Sequence, residues 1–163
     1  MPQTPSEANP VPGRDNTMRS APTALIIPAD HWRSLLDHLS DALPAEGCGL
    51  LACPEGKQGE LRITHVFPGR NVLASPTRFR MDPAEVIAAF RFMREHDLRL
   101  AAIFHSHPAS PPTLSEIDRL EAHYPDAAIL IVSFASSPPQ AVAWRLEADS
   151  AAEIPIHIGP GQS

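Results

Sequence analysis

Cysteine is scarce in this chain of 163 residues, with only 2, Cys48 and Cys53. That is too few for the disulfide framework of a small secreted domain. If both lie on one extended strand, five residues apart, their side chains leave opposite faces and cannot bridge. A C-x4-C pair with no second pair is also no zinc ribbon. Both read as small buried residues, and the usage fits a reducing cytoplasm. Long apolar runs are missing too. Nothing reads as a membrane span, and the opening stretch, with Pro2, Pro5, Pro10, Pro12 and Pro22 among polar residues, has no apolar core for a signal peptide. Positive charge is in deficit: 13 Lys and Arg against 19 Asp and Glu give a net charge of −6. A nucleic-acid partner therefore has no electrostatic support from the total.

What remains reads as one domain. The hydrophobic share of 43% is ordinary for a globular protein. A chain of this length buries about two thirds of its unfolded surface in a single core. The expected organisation is a disordered extension over residues 1–22, a single domain over 23–158 and a flexible tail over 159–163.

The hydrophobic pattern gives an alternating order of strands and helices. Residues 24–27 form a short strand, and Asp30 opens a helix whose Trp32, Leu35, Leu36, Leu39 and Leu43 make one apolar stripe. Strands follow at 49–53 and 61–67, joined by a Pro/Gly-rich turn, and another at 78–81. Asp82-Pro83-Ala84-Glu85 supplies an N-cap, a proline at the first helical position and a capping-box glutamate. That helix runs to about His96 with Val86, Phe90 and Met93 inward. A strand over 98–105, a helix over 115–124 and strands over 128–134 and 141–146 complete the core. Residues 154–158 form an edge strand, since Pro155 has no place in a central one. The fold class is α/β: a mixed, curved β-sheet flanked by helices on both sides.

The run His105-Ser106-His107-Pro108, followed by Ser115 and Asp118, is where chemistry concentrates. An apolar strand leads into it, and side chains two apart on a strand share a face, so both imidazoles aim at one point. Pro108 stops the strand. Asp118, in the first turn of the next helix, brings an oxygen ligand to the same point. Two His and one carboxylate are three protein ligands, and catalytic zinc keeps a fourth position open. Each half has a plainer reading: a polar pair at a sheet end, and a capping box with Ser115 at the N-cap and Asp118 three residues on. Together, metal is the better reading. Hydrolysis at such a site needs a base, and Glu46, followed by Gly47 and Gly49 at the mouth of a second apolar strand, is the candidate. Taken alone it would be a solvated loop residue.

Glu46 in Glu-Gly-Cys-Gly-Leu-Leu, then His105-Ser106-His107-Pro108, six residues, Ser115, two residues and Asp118, resembles the JAMM motif. That motif marks the catalytic branch of the MPN-domain zinc metallopeptidases. Asn71, Ser75-Pro76 and the stretch from Arg78 to Pro83 resemble the family's segment before its central helix, and the match covers roughly residues 25–145. The resemblance implies an MPN-like fold with cytidine-deaminase-like α-β-α layering. It also implies one zinc ion held by His105, His107 and Asp118, Glu46 as general base, and Ser115 holding the water or the developing oxyanion. The chain has no room for the long insertions of ubiquitin-chain-specific members, which favours the small prokaryotic branch. The implied reaction is hydrolysis of a peptide or isopeptide bond after the C-terminal Gly-Gly of a ubiquitin-like or sulfur-carrier protein.

Two other classes compete with that reading. A non-catalytic MPN scaffold would bind partners only, but scaffold members have typically lost the ligands that this chain keeps. A metal hydrolase acting on nucleic acid is weakened by the acidic balance. Arg70, Arg78, Arg80, Arg91, Arg94 and Arg99 read as a solvated face or as a docking patch for an acidic carrier. Residues 109–114, with Pro111 and Pro112, read as a stiff loop over the site. Residues 78–81 are the expected edge for pairing with an extended substrate tail. His31 and His38 on the first helix are expected to face solvent. His65, His96 and His157 are structural or surface residues, and His123 is the one whose helix starts at the metal.

Overall fold

Proline marks several of the strand ends in this chain. The computed structural model describes residues 20–115, 118 and 124–160. Strand β1 (Ala24–Pro28) runs directly into helix α1 (Ala29–Ala42). Pro28 occupies the N-cap with no side-chain cap, so Asp30 sits inside the first turn instead of opening it. Its charge still favours the positive helix end. Strands β2 (Cys48–Pro54), β3 (Glu60–Arg62) and β4 (His65–Gly69) follow, then helix α2 (Pro83–Glu95). Strands β5 (Leu98–His107), β6 (Ala128–Ser133), β7 (Gln140–Leu146), β8 (Ala151–Ile154) and β9 (Ile156–Gly159) complete the order. The readings of the opening extension, the tail's last residues, the helix after Ser115 and His123 fall outside the described residues, Asp118 and Tyr124 apart.

The strands form a mixed six-stranded sheet, β4-β2-β5-β6-β7-β8, and a parallel three-stranded sheet, β3-β1-β9. In the larger sheet β2 is antiparallel to β4 and β5, β5 runs parallel to β6, and β7 and β8 follow antiparallel. Helices α1 and α2 cover opposite faces. Leu35 and Leu39 of α1 share a core with Leu25, Ile27, Leu51, Phe104, Leu130 and Val132. Ala89 and Met93 of α2 share another with Leu50, Ala52, Leu100 and the half-buried Ile103. Neighbours such as Leu50 and Leu51, or Ile103 and Phe104, belong to different faces, as the two-residue period of a strand requires. This is the layered α/β arrangement expected from the pattern. Among the described residues no helix is long and apolar enough to cross a membrane.

Four local expectations need correction. The strand expected over 61–67 is two strands in different sheets: β3 pairs with β1 and β4 with β2. The chain turns between them at Ile63 and Thr64, whose N–H groups donate to the carbonyls of Ile26 and Ala52. Residues 154–158 divide likewise at Pro155, with β8 on β7 and β9 on β1. Pro155 has no N–H to give, but its carbonyl accepts from Leu25 N–H at 3.0 Å. Residues 78–81 are no strand; they close a loop through a single bridge between Asn71 and Met81. Asp82 caps α2 as expected, accepting from Ala84 N–H at 2.9 Å. Glu85 completes no capping box: its carboxylate accepts from Arg70 N–H, and Asp82 N–H goes to the Arg70 carbonyl.

Candidate active site

Strand β5 ends at His107, immediately before Pro108. His105 and His107 share the α2 face, both buried, and Ser106 points the other way. Ser106 Oγ accepts from Gly47 N–H at 2.8 Å, and Ser106 N–H donates to the Gly47 carbonyl at 3.0 Å. Cys48 pairs with His105 in the β2–β5 ladder, so these bonds carry the register one step further. Glu46 is thereby set opposite His107, on the same face. Its side chain is buried, at 4% exposure. The two glycines serve packing on the α1 face. A Cβ on Gly49 would stand 2.2 Å from a Phe104 ring carbon, and one on Gly47 2.7 Å from Leu39 Cδ2.

His105, His107 and Asp118 converge. His105 Nε2 lies 3.2 Å from His107 Nε2. Asp118 sets one carboxylate oxygen 3.3 Å from His105 Nε2 and the other 3.4 Å from His107 Nε2. Two ligand atoms about 2.05 Å from a tetrahedral zinc ion stand about 3.3 Å apart, close to the spacing of the two Nε2 atoms and of each with its nearer Asp118 oxygen. The orientation is also set for it. His107 Nδ1 lies 2.7 Å from the Pro111 carbonyl oxygen, which only accepts, so Nδ1 carries the proton and Nε2 presents its lone pair inward.

Protonation follows the same pattern. Burial pushes the His107 imidazolium down, but hydrogen bonds to Asp118 and to the Pro111 carbonyl, with the Asp118 and Glu46 charges, outweigh it and hold the pKa above its ordinary value. For Asp118, burial acts upward. The two imidazoles and Ser115 N–H outweigh it and hold the carboxyl well below the usual range. A cation at this point would take the place of the shared proton.

The capping-box reading of Ser115 and Asp118 holds, and the cap stands beside the two histidines. Ser115 N–H donates to Asp118 Oδ2 at 3.0 Å, and Asp118 N–H donates to Ser115 Oγ at 2.9 Å. This reciprocal cap aims the carboxylate at the histidines, and Ser115 Oγ, acting there as acceptor, keeps its own proton for another partner. The loop before it is held at three successive carbonyls. Ser133 Oγ donates to Ser110, His107 Nδ1 to Pro111 and Trp144 Nε1 to Pro112. The loop was read as stiff from its prolines; of the side chains that grip it, Ser133 and Trp144 come from distant positions and could not be read.

Phe79 was missed as well. Its ring stacks on His105 at 4.7 Å between centroids and 24° between planes. Beside it a groove of about 500 Å³ runs between α2 and β5, lined by Leu50, Phe79, Met81, Phe90, Ile103 and Tyr124 among others. Part of the arginine cluster is committed within the fold. Arg99 is buried and donates to the carbonyls of Lys57 and Asp126, and Arg70 pairs with Asp82 at 3.0 Å. Nor does His38 face solvent: it bonds the Cys48 carbonyl at 2.9 Å and meets Phe104 edge-on. Cys48 and Cys53 are buried and share no disulfide. Burial, reinforced by the Glu85 and Glu46 charges, pushes the Cys48 thiol up to about 12, which makes it inert as a nucleophile.

Residues 28–147 match the family model of prokaryotic homologs of the JAB domain. The chain belongs to this family. The JAB domain is similar to a CysO-cysteine peptidase of Mycobacterium tuberculosis, 36% identical over 109 residues, 67% of this chain and 73% of that protein. It is also similar to a desampylase of Pyrococcus furiosus, 36% identical over 96 residues, 59% of this chain and 64% of the relative. A probable TtuB-protein conjugate cleaving protease of Thermus thermophilus is 34% identical over 101 residues, 61% and 64% of the two chains. Among solved structures, that of a Desulfitobacterium hafniense protein superposes with a TM-score of 0.75 at 31% identity, covering 83% of this chain and 93% of the other.

Proposed function

We propose that this JAB domain is a zinc-dependent peptidase that hydrolyses the peptide or isopeptide bond after the C-terminal Gly-Gly of a small ubiquitin-like or sulfur-carrier protein. The observation that carries the reading is the convergence of His105 Nε2, His107 Nε2 and the Asp118 carboxylate on one point. Relatives named as a CysO-cysteine peptidase, a desampylase and a probable conjugate-cleaving protease support the hydrolase class. Zinc held by these three residues supplies Lewis-acid polarisation of a carbonyl and lowers the pKa of water to about 7.

The chain's own residues do the rest. Glu46, buried opposite His107, accepts a proton from the attacking water and passes it to the departing amine as the C–N bond breaks. Ser115, whose oxygen already serves the helix cap, turns its O–H proton toward the carbonyl oxygen as that atom gains charge. The gripped loop at 110–112 keeps His107 in the tautomer that leaves Nε2 available. The groove beside Phe79 is where the extended tail of the carrier would lie. Pairing of that tail along residues 78–81 is restricted, since the Arg78 carbonyl and both backbone groups of Arg80 are already bonded within the loop. Arg78 and Arg80 line the groove, where an acidic carrier surface would meet them.

The test is Glu46→Gln. It should keep one zinc per chain and lose turnover by about 10²- to 10⁴-fold, the range a positioned base contributes. Full activity in that variant would remove Glu46 from the mechanism.

A further inference from the structure

The Asn71 side chain makes four hydrogen bonds. Its Nδ2 donates to the Glu46 carbonyl at 3.0 Å and to the Arg78 carbonyl at 3.0 Å. Its Oδ1 accepts from Leu73 N–H at 3.1 Å and from Arg80 N–H at 3.0 Å. A carboxamide has two N–H donors and two acceptor lone pairs, so the group is saturated. Its orientation is fixed as well: exchanging O and N would set donor against donor and acceptor against acceptor.

The partners belong to two different pieces of chain. Glu46 precedes β2, whose first residue is Cys48, and lies one residue beyond the Gly47–Ser106 bonds that extend the ladder. Its own backbone groups are held by the segment after β4, with Glu46 N–H donating to the Ser75 carbonyl at 2.8 Å and its carbonyl accepting from Asn71. The other partners lie in the loop from 72 to 80, closed at its base by the Asn71–Met81 bridge and by Val72 N–H donating to Arg80. That loop lays Phe79 on His105 and supplies one wall of the groove.

We propose that Asn71 is a positioning residue for the reaction: one carboxamide sets the base-bearing residue Glu46 and the Phe79 loop against the His105–His107 strand as a single unit. This rests on the reading of Glu46 as general base. Displacement of a reacting group by about 1 Å can cost about 10²-fold in rate even when the altered residue is remote from the chemistry. Asn71 meets that description, since it touches the backbone of Glu46 and not its carboxylate.

Asn71→Asp separates the two halves of the clamp. It keeps an oxygen for the Leu73 and Arg80 N–H groups and sets a second oxygen against the carbonyls of Glu46 and Arg78. The zinc-loaded full chain should retain one zinc and a cooperative melt. With a carrier protein bearing one residue after Gly-Gly, its kcat should fall at least about tenfold, and more than KM rises. Unchanged kcat per zinc-loaded molecule, or a loss confined to KM, would overturn the proposal. Asn71→Ala carries the same expectation should Asn71→Asp not fold. If the natural chain turns nothing over, the peptidase reading has failed separately, and the cobalt-substituted protein decides. A visible ligand-field band altered alike in Asn71→Asp and Phe79→Leu upholds the clamp, and a band identical to that of the natural chain overturns it.

Discussion

Replacing Gly49 with alanine probes the packing that joins the two halves of the site. The new Cβ would stand 2.2 Å and 2.5 Å from two Phe104 ring carbons and 2.5 Å from the Phe67 carbonyl oxygen. Carbon contacts settle at about 3.5–4.0 Å, so each neighbour must give by about 1 Å. Phe104 is fully buried and Phe67 lies in a strand bonded to β2, so neither has room. Overpacking of a core costs about 1–3 kcal/mol. Two obstructions, one of them backbone, put this change at the upper end, about 3 kcal/mol. In a chain of this size that lowers the melting temperature by about 6–12 °C. Circular dichroism melts of the zinc-loaded protein would measure it. Gly56→Ala is the control, with φ of +83° and nothing within 4 Å of a new Cβ; left-handed strain alone costs it about 1–2 kcal/mol. Adding Phe104→Leu removes part of the clash in Gly49→Ala, so that double variant should lose less than the sum of its parts. A Gly49→Ala melt within about 2 °C of the natural chain, or strict additivity with Phe104→Leu, would refute the reasoning.

Two further outcomes follow from protonation and burial. In the metal-free chain His107 is held above its ordinary value of 6.5, so its stabilisation is complete below that pH and is lost as pH rises through the raised value. Asp118 is held below 3.8, so its contribution is present above that pH and is lost as pH falls toward the depressed value. Pairing therefore supports the metal-free fold best between about pH 4 and pH 6.5, and the gain in melting temperature on adding zinc should widen from about pH 5 to about pH 8 as protons cease to compete. A constant or narrowing gap would contradict the assignment. Cys48 should resist iodoacetamide in the native chain at about pH 8 and react only on unfolding, read by intact mass. Native labelling of Cys48 would show that the β2–β5 seam opens.

The parts of the site that were legible in the sequence are those fixed by spacing along one element. His105 and His107 share a face because strands repeat every two residues, and Ser115 and Asp118 meet because a capping box spans three. Opposition of Glu46 to His107 depends on the register of two strands far apart in sequence, which the motif suggested only through its resemblance. Strand breaks at 63–64 and at Pro155 were hidden for a different reason. Each stretch keeps strand-forming residues on both sides of its break, and the division comes from which sheet each half joins. Asn71, Phe79, Trp144 and Ser133 reach the site from other elements through side-chain contacts, and no periodicity announces such residues. Gly47 and Gly49 stood in the sequence only as neighbours of Glu46, whereas Gly49 accommodates Phe104 on the opposite face.

The most direct measurement is turnover of a small ubiquitin-like carrier bearing one extra residue after Gly-Gly, followed by intact mass with and without a chelator. The expected result is loss of that residue, abolished by chelation, restored by zinc, and absent in His107→Ala, which should also bind no metal. An intact carrier in the presence of protein holding one zinc per chain would contradict the proposed cleavage after Gly-Gly, and normal metal content in His107→Ala would contradict the site itself.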